Sequence, residues 1–99
     1  MKKIEIPKYI KEDPRALEIL SAFLCTDEDM EVRFKAIVDY HMCDSEGWGL
    51  VLGTIAKTAA QGMFKTGSNE EQSLAQIRDS FLVCINSGLE DGDTQFFKP

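Results

Sequence analysis

The most regular pattern in the chain is an alternation in which Val32, Phe34, Ala36 and Val38 are apolar while Arg33 and Lys35 stand between them. A period of two puts each set on its own face of an extended chain, so this segment is predicted to be a half-buried strand. Further on the period lengthens. Trp48, Leu52, Ile55, Ala59 and Met63 fall in one stripe at 100° per residue, with Thr54, Lys57, Thr58, Gln61 and Lys65 on the other side. That spacing predicts a helix to about Lys65, with Asp44 or Ser45 able to cap its start. Beside the stripe runs a row of small residues, Gly49, Gly53, Ala56 and Ala60. Two interior glycines cost about 1 kcal/mol each against alanine, so close approach of another backbone is the expected compensation.

Thr66-Gly67-Ser68-Asn69 reads as a turn, with Gly67 ending one helix and Ser68 or Asn69 capping the next. The following helix, about Glu70 to Asn86, carries Leu74, Ile77, Phe81, Cys84 and Ile85 on one face and closes at Ser87-Gly88. Nearer the N-terminus, Asp13-Pro14 has the chemistry of a helix start, and Leu17, Leu20 and Leu24, widened by Ala16 and Phe23, recur at helical spacing. A first helix is therefore expected from Asp13 to roughly Cys25. Lys3 to Pro7 alternates charged and apolar residues, as a short strand or extended arm would, and Thr26 to Asp29 reads as a solvated turn.

These elements predict an α+β fold in one domain: three helices with a small antiparallel sheet of two or so strands, an arm over residues 1–12 and a tail over residues 88–99. On this reading the strand at Val32 to Val38 needs a partner. The candidates are the arm at Lys3 to Ile6, the tail at Thr94 to Phe97, and the same strand in a second copy, which would complete the sheet in a dimer. A homodimer is expected, with Val32, Phe34, Ala36, Gly49, Gly53, Phe96 and Phe97 as candidate interface residues.

Composition narrows the partners. The 99 residues are 43% hydrophobic and 28% charged, which suits a folded domain, and the net charge of -6 argues against nucleic acid and anionic membrane surfaces. Cys25, Cys43 and Cys84 are widely spaced and odd in number, as reduced thiols of a cytoplasmic protein would be. No apolar run follows Lys2-Lys3 as a signal peptide requires, and none is long enough for a bilayer.

Candidate chemistry is sparse. His41 lies close to Cys43, Asp39 and Asp44, but the spacing matches no metal-binding pattern, and no metal or cofactor is expected. No orienting group or oxyanion site can be assigned to a Cys43–His41 nucleophile, so catalysis is not expected. The carboxylates form no acid–base dyad, and Gly47-Trp48-Gly49 lacks the lysine and hydroxyl of a phosphate loop. Arg78 falls among Leu74, Phe81, Leu82 and Ile85 on the apolar side of its helix. Either it pairs with an anionic ligand, or its stem packs while the guanidinium stays in water, within reach of Glu71. Trp48, at the first turn of the long helix, is an anchor for the core or for a partner, and Phe96-Phe97 either folds back or serves as a docking peptide.

Asp13-Pro14, Ala16, Glu18 and Leu20, then Asp44, Trp48-Gly49 and Ala56, then Leu74, Ile77 and Phe81, together resemble a family of short bacterial proteins known as a domain of unknown function. The likeness runs from about Pro7 to Phe81. The chain departs from the family's pattern at Phe23, Ser45 and Thr58, where members often carry a larger aromatic, a proline and a nearby histidine. The resemblance implies a bacterial, cytoplasmic protein with a helix-rich α+β fold, and implies no activity.

Two functions follow as expectations. One is a dimeric protein-interaction or structural module without catalysis. The other is a binder of a small organic anion, in a pocket near Arg78 with Trp48 and His41 as further ligand-binding candidates.

Overall fold

A computed structural model describes residues 1–87 and the backbone of 94–96. In chain order it contains α1 (Lys8–Lys11), β1 (Leu20–Thr26), β2 (Val32–Val38), a 3-10 turn (Tyr40–Met42), α2 (Ser45–Lys65), α3 (Glu70–Asn86) and β3 (Thr94–Phe96). The fold class is α+β, as the patterning predicts.

One expected element is different. The segment predicted as a helix from Asp13 to Cys25 is a turn followed by β1. The Asp13 carboxylate accepts the backbone N–H of Arg15 at 2.9 Å, and the Asp13 carbonyl accepts that of Ala16 at 3.1 Å, which closes one local turn. From Leu20 onward the backbone groups find partners across an antiparallel ladder instead, running from Leu20 opposite Val38 to Thr26 opposite Val32. The leucine spacing is compatible with either structure, and the long-range ladder, which satisfies the whole segment, overrides it.

The predicted strand at Val32–Val38 is present, with one partner among those expected and one that was not. It is the middle strand of a sheet ordered β1-β2-β3, with β1 antiparallel on one side and the tail segment Thr94–Phe96 parallel on the other. The tail was one of the three candidate partners. The arm at Lys3 to Ile6 has no regular structure, and the single turn α1 follows Pro7, whose carbonyl accepts the N–H groups of Ile10 and Lys11.

The β1–β2 connection is built around Asp27. Its carboxylate accepts the backbone N–H groups of Asp29 at 3.0 Å and Glu31 at 2.9 Å, and Met30 takes a left-handed φ of 65°. Arg33 reaches back to Asp27 at 3.4 Å and Glu31 at 3.7 Å. These contacts hold the Asp27 carboxyl below its ordinary pKa of 3.8, the Glu31 N–H first among them, with desolvation opposing and Arg33 and the Asp29 N–H adding.

Both long helices begin at the caps the sequence offers. Asp44 accepts from the Gly47 N–H at 2.7 Å, and Asn69 accepts from the Gln72 N–H at 2.9 Å. α2 ends in a Schellman motif: Ser68 N–H donates to the Met63 carbonyl, Gly67 N–H donates to Phe64, and Gly67 has a φ of 104°. α3 then returns against α2. Among the described residues only Ala60 and Ser73 are buried, one on each helix and both near the turn.

The sheet and the helical hairpin do not form a two-layer core. Among the described residues, packing joins β1 to β2, β2 to β3, and α2 to α3, with no comparable interface between the layers. The chain exposes 9048 Å² of surface, where a folded monomer of its mass exposes about 5,700 Å². Its radius of gyration is 15.3 Å, against about 13 Å for a compact domain of this length.

Candidate functional site: two uncovered apolar faces

Cross-strand partners project to the same side of a sheet, so the β1–β2 register sorts every side chain. Leu20, Ala22, Leu24 and Thr26 share one side with Val38, Ala36, Phe34 and Val32. That face is apolar except for Thr26. The other carries Ser21, Phe23 and Cys25 with Ile37, Lys35 and Arg33, and is mixed. The apolar face is open in the chain: Phe34 is 74% exposed and Leu24, directly opposite it, is 65% exposed.

The second open surface is a trough between α2 and α3 with a volume of about 910 Å³. Gly49, Gly53 and Ala56 lie in its lining with Leu52 and Ile55, facing Leu74, Ile77 and Phe81 from α3. The small-residue row of α2 is thus split. Ala60 is enclosed near the turn, whereas a Cβ at Gly49 or Gly53 would meet nothing within 4 Å. Among the described residues, none makes the close backbone approach expected at these glycines.

Charge on the trough comes from Lys57, Glu71 and Arg78. Arg78 lines the trough but remains exposed, and its Nε lies 3.4 Å from the carboxylate of Asp79, so its partner is the adjacent residue and not Glu71. Periodicity found the apolar lining and Arg78 but placed Lys57 on the opposite side. The signal was available: Lys57 follows Gly53 by one helical turn, which brings it to the trough's rim.

The other candidate residues gather at the connection between the layers. Trp48 is half-buried, and its indole N–H donates to the Tyr40 carbonyl at 3.2 Å. His41 is exposed, with its ring 4.1 Å from that of Tyr40. Neither lines the trough. Cys43 is half-buried against the start of α2, where a Cβ on Gly47 would come within 3.0 Å of its own Cβ. Among the described residues no three His, Cys, Asp or Glu side chains converge as a metal site would require. Cys25, Cys43 and Cys84 are free thiols. No helix among the described residues is long and apolar enough to cross a membrane. Val32, Phe34 and Ala36 lie on the apolar sheet face; Phe96 pairs in register with Val38 through its backbone, and Phe97 lies outside the described residues.

An uncovered sheet face and an uncovered helical trough define a small α+β domain whose two layers do not cover each other among the described residues. Residues 3–88 match the model of a domain of unknown function, DUF5076, and the chain belongs to that family. No curated protein matches it. Among solved structures it is similar to one described as "a putative pyruvate dehydrogenase" from the photosynthetic bacterium Rhodopseudomonas palustrus CGA009, with a TM-score of 0.66 and 22% identity over 99% of this chain and 96% of that one. At that identity the likeness is one of fold.

Proposed function

We propose that the protein is a non-catalytic structural or protein-interaction module that works as a homodimer. One observation carries this reading: the apolar sheet face and the α2–α3 trough are both open in the single chain, and Ala60 is the one enclosed apolar residue among those described. Apolar surface on this scale is unfavourable in water by about 25 cal/mol per Å², and association removes it. The chain exposes about 3,300 Å² more than a compact monomer, part of it on residues 1–18, and the two faces need supply only the ~800 Å² that each partner contributes to a standard interface. A bacterial cytoplasmic setting belongs to the same reading, supported by three free thiols and a bacterial fold neighbour.

A second reading, an organic-anion binder, is favoured by Lys57 and Arg78 at the trough. Glu71 in the same lining and Asp79 beside Arg78 offset that positive charge, which weakens it. A thermal-shift screen separates the two. The dimer reading predicts a melting temperature that rises with protein concentration and is indifferent to carboxylates and phosphates. Stabilisation by an anion that is abolished by Arg78→Ala, with no concentration dependence, would establish the second reading instead.

A further inference from the structure

We infer that the two open faces are each other's partner across the dimer: the apolar face of β1 and β2 in one copy seats in the α2–α3 trough of the second copy. This rests on the homodimer reading and specifies its interface. Two layers are needed to bury a sheet face and a helical stripe, and each chain supplies one of each without joining them. An isologous pair applies the same contact twice, so a single kind of interface closes all four surfaces.

The shapes match. The sheet presents its bulk at the facing pair Leu24 and Phe34, while the trough has its least bulk at Gly49 and Gly53, where open space meets the backbone. Stacking sheet on sheet would set Phe34 and Leu24 against their own copies and leave both troughs open. Lengths agree as well. A seven-residue strand spans about 23 Å, within the roughly 26 to 31 Å of helices of 17 and 21 residues.

The connection between the layers is fastened in an arrangement that leaves them apart. It is fastened at several points: Asp39 N–H donates to the Ile19 carbonyl at 2.9 Å, Trp48 Nε1–H to Tyr40, and Gly47 N–H to the Asp44 carboxylate. Of these contacts, the Trp48–Tyr40 hydrogen bond is the one that ties the segment after β2 to the body of α2.

The test is inter-copy cross-linking. With Cys25, Cys43 and Cys84 replaced by alanine, chains carrying Phe34→Cys are refolded together with chains carrying Gly53→Cys and treated with a short bismaleimide. Covalent dimers of unlike chains are expected in the mixture, with each variant alone giving few. A dimer in which Phe34→Cys couples to itself, or in which unlike chains do not couple, overturns this interface and leaves the homodimer reading standing. A monomeric mass for the native chain overturns both. If the cysteine-free background does not fold, the native background serves: Phe34→Asp on the sheet and Leu52→Asp in the trough should each raise the dissociation constant at least tenfold. Persistence of the native dimer in either variant contradicts the seating.

Discussion

Single residues in this fold show their energetics through backbone geometry, and Gly67 is the clearest case. At a φ of 104° an L side chain is strained whatever space surrounds it, so Gly67→Ala should cost about 1 kcal/mol, read as a lower urea midpoint with an unchanged slope. Met30 is its converse, a non-glycine residue in the left-handed region. Met30→Gly should raise stability by about 0.5 to 1 kcal/mol, the relief of the left-handed strain less the entropy that glycine loses on folding. Asp27 makes the stability of the hairpin loop depend on pH. Because its folded pKa lies below the ordinary 3.8, its contribution is complete above that value and is lost as pH falls through and beneath it. Urea midpoints should therefore drop on acidification below about pH 4, and Asp27→Asn, which keeps an acceptor for the Glu31 N–H, should shrink that drop. Gly67 could be recognised from its place between two helical patterns. Met30 could not, since no side-chain preference marks it for a positive φ.

At the scale of elements, what was legible depended on whether the stabilising contacts were local. α2 and α3 are specified by their own caps and periodicity, and both begin at the residues that offer a carboxylate or amide oxygen. Asp44→Ala should cost about 1 kcal/mol through the lost cap, measurable by the same denaturant titration. β1 is the opposite case. Leu17, Leu20 and Leu24 fit a helical stripe, but Leu20–Thr26 equally places Leu20, Ala22 and Leu24 on one side of a strand, and only the ladder to β2 decides between them. Arg78 shows the same limit in the candidate site. Its place among apolar residues was visible from periodicity, but its contact with Asp79 depends on side-chain geometry that spacing does not encode.

For the whole molecule, the alternation at Val32–Val38 implies a missing strand partner, and the structure shifts the incompleteness to another level. β2 is flanked on both sides within the chain, and what lacks a partner is an entire layer interface. This could not be read from spacing, because periodicity identifies an apolar face without saying which chain covers it. With a net charge of -6 on each copy, the proposed dimer relies on apolar burial and should be strengthened by salt, which screens the repulsion between acidic chains. Raising the salt concentration should therefore lower the dissociation constant, read from the mass across a dilution series at low and high salt.

The most direct measurement is multi-angle light scattering of the full chain across a dilution series. The expected mass is twice that of the 11.1 kDa chain, persisting into the low micromolar range, with any dissociation accompanied by loss of helical circular dichroism. A single-chain mass at all concentrations, with the helices intact, would contradict it.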